Sequence, residues 1–451
     1  MRYVISAGLG AAGEVLPFIA VGAQLRQRGH HVTFVGNPYY LDRAAKEGLL
    51  VSAVGTIDDY YKFASDTALF GAQQKSAVQV VEDYYYPFMN ETYRALTDTA
   101  GTGPAVIIGN DVVPSAVAEK HGLPRVQLVL APSRFASRYD PPHPTKVLPT
   151  WARWFAGSGI RLSLLWRLRN LRRGQLRWPR ATLNLPGNHP VNVFRASVGL
   201  PDVNESYAHA GLILALWPEW FGAPQADWPE NAVATGFPIH LRSSSDRTGL
   251  AEPICDNEAS RPIVATTGSV ANAQENFFAA VVAAARMLGR PSILVTPHQD
   301  QLPSNLPPDV TYLDYAPFDR LFDRAALVVH HGGIGTTAYA LAAGVPQLVV
   351  PMRGEQFDIA NRAARLGVAR MLSVGEMRPE NLAQTMRVML RSQRVTGACT
   401  HWRSRLESHD GLRRAADLIE QFASDKFSDV PRDDTRQGIP DSPRTANAAD
   451  R

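Results

Sequence analysis

Short apolar runs alternate along the chain with segments whose apolar positions recur every three or four residues, as expected of a sheet wound with helices. Residues 3–6 read as a buried strand. Residues 16–28 read as a helix with Phe18, Val21, Gly22 and Leu25 on one face, and Gly29 stands where a helix end accepts positive φ. Residues 32–35, 105–108 and 125–130 read as further strands. Residues 134–205 break the rhythm with prolines, arginines and four tryptophans, and read as an insertion that shapes a binding cleft. Residues 224–229 read as a linker. The alternation then restarts, with strands expected at 262–267, 293–296 and 310–313. Beyond Arg378 the pattern is helical, with a long terminal helix expected over about residues 401–423. Residues 425–451 turn polar around Pro431, Pro440 and Pro443, too poor in apolar side chains to order themselves.

The stretch from Val328 to Asp358 carries the most chemistry. Residues 327–329 read as a buried strand, followed by a turn containing Gly332, Gly333 and Gly335, a helix over 336–343, and a second buried strand over 347–350. The first N–H groups of a helix lack intrahelical partners and sit at the positive end of its dipole. Glycines let that backbone approach an anion closely, so the turn is built to hold a phosphate or diphosphate. His331 can add a side-chain donor, whereas His330 reads as packing. Glu355 and Gln356 follow the next strand, at the end of an open sheet where ligands collect, and their side chains suit sugar hydroxyls.

A chain of 451 residues suggests two domains. No apolar run is long enough to span a bilayer, and residue 3 already opens a strand, with no signal-peptide pattern before it. Two cysteines, Cys255 and Cys399, give neither a disulfide framework nor zinc spacing, which fits a reducing cytoplasm. The net charge of +4 says little, but seven arginines and no acid lie between Arg161 and Arg180, interleaved with leucine and tryptophan. Such a segment reads as a solvated helix whose arginine stems cover apolar surface, or as a peripheral contact with an anionic membrane. No nucleic-acid module accompanies it. The chain has no Asp-x-Asp and no acids at metal-ligand spacing, so no metal is expected.

Gly8, Gly10 and Gly13 formally match a dinucleotide fingerprint. The acid that should end the second strand and hold a ribose is absent, since that strand runs Val35-Gly36-Asn37. A bound dinucleotide is therefore not expected.

The segment around His331 resembles the donor-binding signature of family 1 glycosyltransferases of the GT-B fold, in their bacterial branch. His331 matches that signature's phosphate-binding histidine, Gly333, Gly335 and Thr336 its phosphate turn, and Glu355-Gln356 its acidic-Gln sugar pair. Tyr315-Ala-Pro317 is similar to the Trp-x-Pro that stacks on the donor's base. The resemblance extends through Leu216-Trp-Pro-Glu-Trp-Phe221, Thr235-Gly-Phe-Pro238 and Thr267-Gly-Ser269. Within the family, Pro141-Pro-His-Pro144 and the tryptophan-rich stretch around Trp228 resemble the rhamnosyltransferase B chains of rhamnolipid synthesis.

The resemblance implies an α/β chain of two Rossmann-like domains facing across a cleft. Residues 1–228 would form the acceptor domain and 232–402 the donor domain. Residues 403–424 would form a helix returning to the first domain, and 425–451 a tail. It also implies a metal-independent enzyme without a cofactor, which moves a sugar with inversion from a dTDP or UDP donor, plausibly a deoxyhexose such as rhamnose, to an apolar or lipid acceptor. Gly13-Glu-Val-Leu-Pro17 resembles a Gly-Asp-Val-x-Pro segment whose acid faces the acceptor, with Glu14 in place of Asp. Glu14 is the candidate general base and Asp111 its candidate assistant, each with the plainer alternative of capping a helix. Thr267 and Ser269 join the donor set. Phe135, Trp151 and Trp154 are expected to line the acceptor cleft. Two other readings remain open: a catalytically silent nucleotide-sugar-binding partner of another transferase, and a GT-B sugar epimerase.

Overall fold

The computed structural model describes residues 1–70, 75, 77–135, 137, 139–142, 189–203, 209–239, 261–269 and 276–428. Two parallel sheets organise them. The first comprises β1 (Arg2–Ser6), β2 (His31–Gly36), β3 (Leu50–Ala53), β4 (Ala105–Gly109), β5 (Arg125–Val129), β6 (Leu212–Ala215) and β7 (Ala232–Ala234), in the order β3-β2-β1-β4-β5-β6-β7. The second comprises β8 (Ile263–Thr266), β9 (Ser292–Val295), β10 (Val310–Leu313), β11 (Leu327–His330), β12 (Gln347–Val349) and β13 (Ala369–Met371), in the order β10-β9-β8-β11-β12-β13. Central strands β4, β5, β8 and β11 are buried along their whole length. That is why β4, β8 and β11 read as nearly unbroken apolar runs rather than alternating ones, whereas β5 buries Arg125 and Gln127 against each other, at 3.0 Å.

Both sheets reverse their winding direction at an inner pair of strands. In the first, β1 lies beside β4, with Ser6 opposite Gly109. In the second, β8 lies beside β11, with Thr266 opposite His330. Crevices at such switch points, beyond the carboxyl ends of the strands, are where doubly wound sheets take ligands. Glu14 follows β1, Asp111 follows β4, Thr267 and Ser269 follow β8, and His331 follows β11.

Three expectations about organisation need correction. Residues 224–229 are not the link between domains. They lie inside the β6–β7 connection, and Ile213, Leu214 and Ala215 pair with Ala232, Val233 and Ala234, so the first sheet runs past residue 228. A three-residue edge strand, Ala-Val-Ala, leaves too little periodicity to be seen in sequence. The single terminal helix is two, α1 (Gln393–Glu407) and α2 (Gly411–Phe427), because the Asp410 side chain accepts from Arg413 N at 2.9 Å and starts a new helix. The second of them continues past residue 425, where a tail was expected to begin. Finally, residues 134–205 are not wholly a cleft-lining insertion. Pro190–Ser197 form a helix whose Val191 and Phe194, with Val203, pack into the core of the first domain. The arginine-rich stretch 161–180, Trp151, Trp154, Cys255 and residues 429–451 lie outside the described residues.

Helix α2 does return to the first domain. Its Leu412, Ala415, Ala416, Ile419 and Ala423 join the core built on β1 and the helix Ala12–Gln27. Arg28 meets Asp417 at 2.8 Å, and His30 meets Glu420 at 2.6 Å.

Candidate active site

The helix that follows β11 is Ile334–Ala343, starting two residues earlier than the sequence suggested, with Gly333 at its N-cap. Gly332 adopts φ +94°, a conformation only glycine takes readily, and a Cβ there would meet the Gln356 carbonyl at 3.0 Å. The turn is thus packed against the sugar-pair loop. At Gly335 an added Cβ would meet nothing within 4 Å, so the helix start opens onto free space on that side.

The His331 ring lies against Gly268 and Gly333. A Cβ would come within 2.9 Å of Cε1 from Gly268, and within 2.7 Å of Nε2 from Gly333. Burial, reinforced by the nearby Arg353 guanidinium and partly offset by the Thr266 backbone, pushes the His331 pKa down to about 4. Its Nδ1 is buried without a well-formed hydrogen bond. A neutral imidazole is therefore held at the mouth of an anion-binding turn. His330, by contrast, is satisfied within the core: its Nδ1 accepts from Gly332 N at 3.1 Å and its Nε2 meets Gln347 Oε1 at 3.0 Å.

The remaining donor candidates divide. The Gln356 carbonyl oxygen accepts from Met352 N at 2.9 Å and Arg353 N at 3.2 Å, which shapes the loop and leaves the amide NH2 for a ligand. Glu355 lies 3.9 Å from Arg134 of the first domain. Burial raises its pKa, Arg134 opposes that rise, and Glu14 adds to it. Ser269 Oγ accepts from Ala12 N at 3.0 Å, across the cleft at the start of the first domain's leading helix. Tyr315 is 63% exposed with its hydroxyl 3.5 Å from Arg43, and Pro317 caps the short helix after it. Thr267 directly follows β8. It is buried and its hydroxyl donates to Gln301 Oε1 at 3.2 Å, inside the donor domain. Thr336 is also buried, so its backbone rather than its side chain serves the turn.

On the facing side, Glu14 is exposed and sits in the first turn of Ala12–Gln27, where its Oε2 accepts from Ala11 N at 2.9 Å. One carboxylate oxygen caps the helix. Asp111 caps Val112–His121 through Val113 N at 3.1 Å. Burial lifts its pKa to about 6, against the pull of Val113 N and Arg125. Gly8 keeps the gap open beside Asp111 Oδ2 and the Tyr85 ring, which an added Cβ would approach at 3.2 and 3.1 Å. The dinucleotide fingerprint is absorbed by this packing. Asn37, where a ribose-binding acid would stand, instead caps the next helix through Tyr39 N at 3.0 Å and donates to Thr56 O at 2.8 Å.

Phe135 is a correction. It is buried, with Trp228 at 4.4 Å and Trp217 at 5.7 Å between ring centroids. The tryptophans of the β6–β7 connection cover it, so it belongs to the core and not to an acceptor surface. Three groups missed in sequence stand at the cleft instead. Burial raises the Tyr85 pKa, and Glu14 and Asp111 add to that rise. Burial lowers the Arg353 pKa, and Glu14, Glu355 and Tyr85 oppose that fall. Arg134 reaches Glu355. Arg353 lies two residues before Glu355 in one loop and could have been suspected. Tyr85 has no local motif to betray it. Among the described residues no His, Cys, Asp and Glu cluster could hold a metal ion.

Residues 283–409 match a family model described as the C-terminal domain of erythromycin biosynthesis protein CIII-like proteins. Over 438 residues, 92% of this chain and 96% of the relative, the sequence is 28% identical to O-mycaminosyltylonolide 6-deoxyallosyltransferase of Streptomyces fradiae. The chain is a glycosyltransferase, similar to those of family 1. Solved structures agree on the fold. The glycosyltransferase of kitacinnamycin superposes with a TM-score of 0.64 at 20% identity, over 94% of this chain and 98% of that one. The spinosyn rhamnosyltransferase SpnG complexed with thymidine diphosphate superposes with a TM-score of 0.57 at 18% identity, over 93% and 99%. The two parallel sheets of this glycosyltransferase are accordingly those of a GT-B fold.

Proposed function

We propose that this glycosyltransferase moves a deoxyhexose, with rhamnose the first candidate, from a dTDP or UDP donor to a hydroxyl of an apolar small-molecule or lipid acceptor. The reaction proceeds with inversion and without a metal or cofactor. The observation that carries the reading is the pairing of two switch points. The open helix start at Gly333–Thr336 with His331 faces one side of the cleft, and Glu14 with Asp111 faces the other. His331 and the backbone N–H groups take the diphosphate, Glu355 and the Gln356 amide take the sugar, and Tyr315 takes the base. Glu14 accepts the acceptor's proton as the C–O bond to the anomeric carbon forms and the bond to the diphosphate breaks. Preorganised donors then stabilise the charge that builds on the leaving group. The sugars named for the two deoxysugar-transferring relatives, and the thymidine diphosphate in one of them, support the donor class. No helix among the described residues is long and apolar enough to cross a membrane. We place the reaction in the cytoplasm, with the arginine-rich segment as a peripheral membrane contact.

Incubation with dTDP- and UDP-deoxysugars against fatty acyl, polycyclic and sugar acceptors, read by mass spectrometry, tests the reading. A product on an apolar acceptor, with anomeric configuration opposite to that of the donor, is expected. Binding of sugar nucleotides without transfer to any acceptor, or epimerised free sugar, overturns it in favour of the silent-partner or epimerase alternatives.

A further inference from the structure

The helix that begins at the sugar pair, Gln356–Arg365, carries a buried ion network at its far end. Arg362 is 5% exposed, and every arm of its guanidinium is engaged. Nε meets Asp358 Oδ2 at 2.7 Å, NH2 meets Asp140 Oδ2 at 2.7 Å, and NH1 donates to Phe221 O at 3.1 Å. Asp358 lies one turn away on the same helix and is itself buried. Asp140 and Phe221 belong to the first domain. Arg365, one turn further, lies 3.6 Å from the other oxygen of Asp140.

The same first-domain segment is tied at its beginning as well. Arg134, six residues before Asp140, pairs with Glu355 at 3.9 Å. Charges along the two strips are complementary in order, plus then minus on residues 134–140 and minus then plus on 355–365. Between the ties, Ser137 Oγ donates to Asp227 Oδ1 at 2.6 Å and accepts from Tyr139 N at 3.0 Å, which fixes the segment to the β6–β7 connection. A buried ion network is weak evidence for stability, because desolvation offsets much of its attraction. Its geometric effect is clearer, since it fixes how one element sits against another.

We propose that Arg362 and Asp140 are positioning residues. They lock the helix carrying Glu355 and Gln356 to the segment 134–140, so that the sugar of the donor is held in register with the acceptor side of the cleft. This rests on the reading of Glu355 and Gln356 as the sugar-binding pair. The diphosphate site at His331 and Gly333–Thr336 lies on a different helix and is not part of the lock.

Calorimetry on the full chain with dTDP, UDP, dTDP-glucose and UDP-glucose tests it. The quantity is the sugar increment, the ratio of affinities of a sugar nucleotide and its parent nucleotide. Asp140→Asn is expected to reduce the increment at least fivefold while the parent nucleotide binds within twofold of the unmodified protein. Asp140→Glu should restore most of it. Arg365→Gln, at a half-exposed position, gives a milder loss in a variant that keeps the buried network. A merely structural role would weaken parent and sugar nucleotides together, and that result overturns the proposal. Glu355→Gln separates the two levels. If it leaves the increment unchanged, the sugar-pair reading fails. If it lowers the increment and neither Asp140→Asn nor Arg365→Gln does, the positioning proposal fails. An increment of one in the unmodified protein also overturns it, because there is then no sugar contact to position.

Discussion

Replacing His331 by Ala tests the donor site most directly. The ring occupies space between Gly268 and Gly333 and lies at the anion-binding turn. In the free protein its pKa of about 4 leaves it neutral at pH 7.5. A neutral N–H donating to a charged phosphate oxygen contributes about 1.5–3 kcal/mol, and about 1.4 kcal/mol corresponds to tenfold in affinity. His331→Ala should therefore weaken donor binding by about tenfold to somewhat over a hundredfold. The pH dependence follows from the same geometry. A diphosphate within hydrogen-bonding distance favours the imidazolium and typically raises such a pKa by about 1–3 units. The bound value then falls near 5–7 on that scale, above the free value. Because the bound state takes protons more readily, affinity tightens as pH falls, at less than about tenfold per unit. It should be flat above about pH 7, rise towards pH 5, and lose that rise in His331→Ala.

Sugar nucleotides are the right ligands for this titration, since their esterified diphosphate has no ionisation near neutrality, whereas a free nucleoside diphosphate does. Titration calorimetry in two buffers of different ionisation enthalpy gives both affinity and proton uptake. Circular dichroism and thermal unfolding establish that the variant is folded. A folded His331→Ala protein with unchanged affinity at pH 7.5 refutes the assignment. So does a pH slope that survives the substitution, because another group would then be taking the proton.

Gly335→Ala adds a Cβ that meets nothing in the free protein. It should leave the fold intact or stabilise it by up to about 1 kcal/mol, yet weaken sugar-nucleotide binding at least tenfold; unchanged binding would place the ligand elsewhere. Asp111→Asn keeps a side chain able to cap its helix and removes a carboxyl whose pKa rises from 3.8 to about 6 on folding. Below pH 3.8 the carboxyl is protonated in both states and costs nothing. Its penalty grows as pH rises towards 6 and then levels off. Asp111→Asn should accordingly be the more stable protein by up to about 3 kcal/mol at pH 7–8, with the gain vanishing near pH 4 in chemical denaturation, and turnover should fall. Glu14→Gln should keep sugar-nucleotide affinity within about twofold and lower turnover by about a hundredfold or more. Turnover within about threefold of the unmodified enzyme would make another group the base.

Most of the architecture was legible because parallel strands buried on both faces are unbroken apolar runs, and β1, β4, β8 and β11 all are. The glycine turn between strand and helix was legible because glycines 332, 333 and 335 follow such a strand directly. Contacts between distant segments were not. Nothing local distinguishes Phe135, whose fate depends on Trp217 and Trp228 about ninety residues away. Thr267 matched the donor signature, yet its hydroxyl turns to Gln301, which no periodicity predicts. Arg134, Asp140 and Arg362 belong to no local motif and are joined only by the folded cleft.

Apart from the Arg134–Glu355 pair, which bridges it, the charges around that cleft are sorted by side, and the sorting bears on Glu14. On the first-domain face stand Glu14 and Asp111, with Tyr85 between their fields. On the second-domain face stand Arg353, the neutral His331 and the positive end of the helix Ile334–Ala343. In glycosyl transfer a proton moves towards the first face while negative charge accumulates at the second. Each movement runs down the electrostatic gradient already present. The field of Glu14 acts on Arg353, and that of Arg353 on the histidine. On the proposed mechanism Glu14 would lose its charge as it takes the proton, and the diphosphate would supply a new anionic partner for the guanidinium. The cap from Glu14 to Ala11 N uses only one oxygen. It aims the carboxylate without consuming it, which is why capping the helix and accepting a proton are compatible tasks for one side chain.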